Sequence, residues 1–254
     1  MNIQTEIQNK LSQIETDHQV KILYACESGS RAWGFDSQDS DYDVRFIYVH
    51  AQDWYLSVNL ESKRDVIELP IDEVFDINGW DLRKSLQLMK KSNPSLMEWL
   101  SSPIIYRQDK GFTQAIQSLM QQYYSPRACF YHYLHMAKGN QREYLRSKQV
   151  RIKKYFYVLR PLLAMQWLEQ DLGIVPIEFD VMVKKLIPNG QLKDDIAKLI
   201  ARKRAGFESK TADPIKSIDA FITKEILRLS DITDLYAPQN DYTAMNTLFR
   251  QFTR

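Results

Sequence analysis

Residues 27–49, ESGSRAWGFDSQDSDYDVRFIYV, hold the sharpest signals in the chain. Their last part, with His50 (DVRFIYVH, 43–50), is rich in β-branched and aromatic side chains and reads as a strand. Residues 21–26 (KILYAC) read as a shorter strand, and Glu27-Ser28-Gly29-Ser30 as the turn that follows it. Strand alternation puts Asp41 and Asp43 on one face, their Cα atoms about 6.5–7 Å apart. Tyr42, Val44, Phe46 and Tyr48 take the other face, the one that helices can cover. Two carboxylates on one face repel each other, and a divalent cation is the usual compensation. Their hard oxygens suit magnesium or manganese. Gly29 lets backbone amides approach a phosphate, Ser30 offers a hydroxyl, and a helical turn opening at Arg31 adds further amides. A calcium loop starting at Asp39 needs Gly in sixth place and Glu in twelfth; Val44 and His50 stand there, which excludes an EF-hand.

Outward from this core, Ile3, Ile7, Leu11 and Ile14 recur at helical spacing and predict an amphipathic opening helix, not a signal peptide. A third strand is expected near 72–77. Leu82, Leu86 and Met89 then share a helix face, and Asn93-Pro94 stops that helix and caps the next. Beyond Ser125-Pro126 the chain reads as mostly helical, with breaks at Leu172-Gly173, Pro188-Asn189-Gly190 and Ala212-Asp213-Pro214. The expected architecture is α/β: a small mixed sheet with helices over 1–120, followed by a helical, basic domain over 121–254 that closes over it.

With 44% hydrophobic and 26% charged residues, the chain of 254 is neither disordered nor collagen-like and can bury a core without staples. Two cysteines, Cys26 and Cys129, exclude a disulfide framework, and His132 and His135 lack a third partner for zinc. No run of eighteen apolar residues occurs, so a membrane span is not expected and a cytoplasmic location is. The net charge of +2 hides an asymmetry. Residues 1–120 carry 12 Lys and Arg against 18 Asp and Glu, and residues 121–254 carry 22 against 14. An acidic half and a basic half suggest carboxylates that hold something positive and cations that hold something negative. Nothing in the pattern specifies an oligomer.

Gly29-Ser30 followed by Asp41-Tyr42-Asp43 resembles the signature of the DNA polymerase β-like nucleotidyltransferase superfamily. The longer string from Gly29 to Val49, with WDLRKSLQLMKKSNPSLMEWL over 80–100 and KKYFYVLRPLLA over 153–164, resembles one branch of it. That branch comprises predicted nucleotidyltransferases associated with RNA ligases and RNA repair, and the likeness covers about 25–165. The resemblance implies transfer of a nucleoside monophosphate from a nucleoside triphosphate to a hydroxyl, with release of pyrophosphate. It implies Asp41 and Asp43 as metal ligands, Gly29, Ser30 and Arg31 at the triphosphate, and a third carboxylate on a neighbouring strand. Asp76 is the first choice for that carboxylate, with Asp72 and Asp65 as competitors. Three carboxylates suit a pair of metal ions that clamp the attacking and leaving oxygens in line.

The cations supply the complementary half. Arg83 and Lys84 open the helix after the third strand. Between 142 and 160 stand Arg142, Arg146, Lys148, Arg151, Lys153, Lys154 and Arg160 against the single acid Glu143. Helical spacing makes Ile152, Phe156, Leu159 and Leu163 an apolar stripe, flanked by Lys153, Tyr157 and Arg160. On that flank Lys153 and Arg160 are expected to grip phosphates and Tyr157 to stack on a base, with Lys154 further out. An RNA end is the first choice of acceptor. A small molecule, a protein hydroxyl, or a non-catalytic nucleotide-binding or partner-binding module are the alternatives.

Overall fold

The structure, a computed structural model, describes residues 2–72, 74–145, 149–207, 211–238 and 241–253. Arg146 and Lys148 of the basic run lie outside the described residues. The chain divides into two units: Met1–Ala32, Asp41–Tyr124 and Pro238–Arg254 form the first, Trp33–Ser40 and Ser125–Ala237 the second.

The first unit opens with α1 (Ile3–His18), capped by the Asn2 side chain, which accepts from the Gln4 N–H. Next come β1 (Val20–Glu27), the single turn α2 (Gly29–Ala32), β2 (Tyr42–His50) and the short α3 (Gln52–Tyr55). The strands β3 (Val66–Glu68) and β4 (Phe75–Asp81) precede the helices α4 (Leu82–Lys90) and α5 (Pro94–Leu100). β5 (Ile105–Gln108) and α6 (Lys110–Tyr123) complete this run. The strands form one sheet in the order β3-β4-β2-β1-β5. β2 runs antiparallel to β1 and parallel to β4. Val44, Phe46 and Tyr48 of β2 are buried in one cluster with Ile7, Leu11 and Ile14 of α1, so the apolar faces legible in each element meet. Gly79 of β4 faces the Phe46 ring so closely that a Cβ there would stand 2.3 Å from it, which leaves room for no larger residue.

Three expectations shift in detail. The third strand begins at Phe75 and runs to Asp81, because the Asp72 side chain accepts from the N–H groups of Val74 and Phe75 and turns the chain first. The helical turn expected from Arg31 is Gly29–Ala32 instead. β3 and β5, three and four residues long at the two sheet edges, are too short to leave a periodic signal. The Asn93 cap of α5 forms as read: its side chain accepts from the Leu96 N–H, with Pro94 in the first turn.

In the second unit α7 (Pro126–Tyr144) packs along α8 (Ile152–Glu169). The ribbon β6 (Val150–Arg151) and β7 (Thr211–Ala212) flanks α8 and α10 (Gln191–Arg204) in the chain, α9 (Phe179–Leu186) lies between those helices, and α11 (Lys216–Ser230) follows. α12 (Thr243–Phe252) returns to the first unit. α8 is the central helix of its unit, touching α7, α9, α10 and α11. Its expected stripe is buried, but so are Tyr155, Val158, Arg160 and Leu162 on its other sides. The spacer 33–40 is pinned here. The Phe35 ring stacks on Phe156 at 4.3 Å, the Lys203 ammonium donates to the Ser40 hydroxyl at 3.1 Å, and Arg204 donates to the Gly34 carbonyl at 2.6 Å.

Candidate active site

The parallel pairing of β2 with β4 sets Asp43 directly opposite Asp76. Asp72 and Asp65 lie elsewhere: Asp72 pairs with Lys10 and Asp65 with Lys84. Between Asp43 and Asp76 reaches the Arg45 guanidinium, two residues along β2 and therefore on the same face as Asp43. One of its nitrogens donates to Asp76 Oδ2 at 2.7 Å and Asp43 Oδ1 at 3.2 Å, and the other to the Asp76 carbonyl at 2.7 Å. Asp43 nonetheless has its pKa raised. Burial is the main cause, and the charges of Asp76 and Asp41 add to it against the pull of Arg45. Asp41, just before β2, is exposed, and its carbonyl accepts from Arg31 Nε at 3.2 Å.

Gly29 closes this end from the other side. Its φ is +59°, and a Cβ there would stand 1.9 Å from Asp43 Oδ2. The turn and the carboxylate are thus in van der Waals contact and belong to one place. Ser30 follows, half-buried, in the same helical turn, and the Arg31 guanidinium lies over the Tyr42 ring at 3.8 Å.

Glu27 was not singled out in the sequence, yet it ties the two motif halves together. It is fully buried, one carboxylate oxygen accepting from the Asp43 N–H at 2.8 Å and the other from the Tyr106 hydroxyl. The adjoining Ser28 N–H donates to the Asp43 carbonyl at 2.8 Å. Burial pushes Glu27 up to about 7, with its hydrogen bonds working in the opposite direction. Arg45 was missed too; its position two residues after Asp43 is the signal that could have found it.

Two of the other predicted residues, in the same unit, are not brought here. Arg83 and Lys84 begin α4, past the far end of β4, where they pair with Glu61 at 3.3 Å and Asp65 at 2.9 Å. Asp76 and Arg83 are seven residues apart along a strand and a helix start, roughly 20 Å of extended chain. Lys153, Tyr157 and Arg160 belong to the second unit. Arg160 is buried, its guanidinium 4.9 Å from the Trp33 ring and donating to the Ile177 carbonyl at 3.2 Å. Tyr157 and Lys153 are half-buried. Lys154, expected on the outside, instead lies 3.6 Å from the Tyr144 ring and 4.9 Å from the Tyr157 ring.

Whether these acids suit a metal ion follows from their chemistry. Asp43 and Asp76 offer hard oxygens level on adjacent strands, with the Arg45 guanidinium donating to both. Among the described residues no three His, Cys, Asp or Glu side chains already converge at ligand spacing. The donor set fits magnesium or manganese at Asp43 and Asp76, with the guanidinium as the cation they share at present.

Comparison with known proteins supplies the rest. A family model described as RlaP, RNA repair pathway DNA polymerase beta family, matches residues 3–251. The chain is 48% identical over 237 residues to the uncharacterized protein YcgL of Bacillus subtilis (strain 168), covering 93% of this chain and 90% of that one. A crystal structure of a nucleotidyltransferase-like protein from Exiguobacterium sibiricum 255-15 is similar at 10% identity and a TM-score of 0.32, covering 97% of this chain and 87% of that one. Among the described residues no helix is long and apolar enough to cross a membrane.

Proposed function

Since the chain belongs to the RNA repair pathway DNA polymerase beta family, we propose that it is a metal-dependent nucleotidyltransferase that moves a nucleoside monophosphate from an NTP to an RNA end. The observation that carries this reading is the contact between Gly29 and Asp43, which makes the phosphate-binding turn and the carboxylate pair one site. The acceptor hydroxyl oxygen bonds to the α-phosphorus, the bond to the pyrophosphate breaks, and the hydroxyl proton passes to a carboxylate, for which Asp76 is the nearest partner of Asp43. A bound magnesium or manganese ion supplies positive charge to the triphosphate and lowers the pKa of the acceptor hydroxyl. Asp41, Asp43 and Asp76 would hold that ion.

Gly29 and Ser30 hold the phosphates: the glycine leaves the backbone bare and the serine adds a donor. Glu27, by gripping the Asp43 N–H, fixes the strand start against the turn, so that both halves keep their spacing while charge moves. Arg45 holds Asp76 facing Asp43. The basic surface of the second unit, with Lys153 and Tyr157 in α8, supports RNA as the partner.

The test is pyrophosphate release from each ribonucleoside triphosphate, with magnesium or manganese, across RNAs with different ends. Release that requires both metal and RNA, and is lost on Asp41→Ala plus Asp43→Ala, is the expected result. Nucleotide binding with no turnover on any RNA end contradicts the RNA acceptor.

A further inference from the structure

At the finishing end of β2, seven residues and roughly 23 Å along the strand from Asp43, a cavity of about 390 Å³ opens beside His50. Such a volume is within the range of small-molecule sites. Its wall is aromatic: the His50 ring stacks on Trp54 of α3 at 3.9 Å and 9°, and Tyr48 meets His50 edge-on at 5.5 Å. Val66 and Ile67 of β3 give it an apolar side. Its rim carries two cations, Lys63 and Arg64, with His18 beside them and the one acid Glu68. We propose that this cavity is a second nucleotide-binding site, taking a base against the half-buried His50 and Trp54 stack and a phosphate at Lys63 and Arg64.

The parts are held for that use. The Lys63 ammonium donates to the Trp54 carbonyl at 3.1 Å and the Ser57 hydroxyl at 2.6 Å and stands 4.8 Å from the Trp54 ring, so a positive charge is fixed beside the aromatic wall. Arg64 is an exposed guanidinium whose ion pair is with Glu68, on the next strand, and phosphate is a stronger partner than a solvent-exposed carboxylate. Burial, Lys63 and His18 together push His50 down to about 4, so its ring is neutral at ordinary pH and can offer both a donor and an acceptor to a base edge. The Tyr48 hydroxyl is buried with no hydrogen-bond partner among the described residues, which marks this part of the sheet as incompletely satisfied. A nucleotide answers all of these features, whereas a purely apolar ligand leaves the cations unused and inorganic phosphate leaves the wall bare.

The experiment titrates uridine and adenosine monophosphate, and separately a short single-stranded RNA, into the full chain carrying Asp41→Ala plus Asp43→Ala with a chelator present. Calorimetry gives affinity and tryptophan fluorescence gives location. The expected result is binding that Arg64→Glu weakens about tenfold, with fluorescence quenching lost in Trp54→Phe while calorimetric binding persists. Binding of the monophosphates identifies free nucleotide as a sufficient ligand; binding of the RNA alone identifies a unit of a strand. No binding of either probe, or binding that Arg64→Glu leaves unchanged, overturns the proposal. Neither metal nor turnover enters this assay, so its outcome is independent of the pyrophosphate test.

Discussion

The two ends of the β2 and β4 pair solve the same electrostatic problem in opposite ways. At the starting end Asp43 and Asp76 share the Arg45 guanidinium, and burial above all leaves Asp43 with a raised pKa. At the finishing end Asp81 is also buried, and burial pushes its pKa up to about 6, but it has partners of its own: it accepts from the Arg83 N–H at 2.7 Å as the cap of α4 and from the Tyr55 hydroxyl at 2.7 Å. Neighbouring Asp65 has Lys84. Acids at the finishing end build structure. At the starting end two carboxylates lie level on adjacent strands with one guanidinium between them, an arrangement that the proposed metal ion would complete.

The contrast predicts a ranking of effects. Asp41→Ala plus Asp43→Ala removes two of the proposed metal ligands and is expected to lower pyrophosphate release on the order of a thousandfold, about 4 kcal/mol of barrier, with little change in thermal stability. Gly29→Ala forces a Cβ against Asp43 Oδ2 and a side chain into positive φ. It is expected to cost about a hundredfold in activity and about 1–3 kcal/mol in stability, read by the same assay and by denaturant unfolding. Gly79→Ala crowds the Phe46 ring instead and is expected to cost comparable stability while the remaining folded protein keeps its metal affinity.

Burial of Glu27 gives a smaller, pH-dependent effect. Its pKa is raised on folding, so folded protein binds the extra proton between the ordinary carboxylate value and about 7, and stability falls as pH rises through that window. Glu27→Gln keeps an acceptor for the Asp43 N–H and removes the buried charge. Its stability relative to the parent is expected to improve from pH 5 to pH 8, on the order of 2 kcal/mol, checked by urea unfolding at both values. Asp81→Asn is the smallest change, about 1 kcal/mol of stability from a weakened cap, with metal-dependent nucleotide binding intact.

Strand alternation made Asp41 and Asp43 legible, and the glycine-serine turn was legible beside them, because both are local. The place of Asp76 depends on which strand β2 pairs with and in what register, a non-local choice that the spacing of residues does not carry. Arg83 and Lys84 were expected at the phosphates because they follow the third strand closely in sequence. A helix that follows a strand begins at that strand's finishing end, here a strand's length from Asp76. For Arg160 the apolar stripe is as the helical period has it, but the buried part of α8 is wider than that stripe and takes in Arg160, while Lys153 and Tyr157 stay half-buried. Glu27 was hidden because its importance is a hydrogen bond to a main-chain N–H sixteen residues away, for which no side-chain pattern exists.

The most direct measurement compares manganese-dependent NTP binding in the parent protein, in Asp43→Asn and in Asp81→Asn, by equilibrium titration. The account predicts that metal-dependent binding is lost in Asp43→Asn and kept in Asp81→Asn. Equal binding in all three folded proteins contradicts it, because the carboxylates at the starting end of the sheet then hold no metal for the nucleotide.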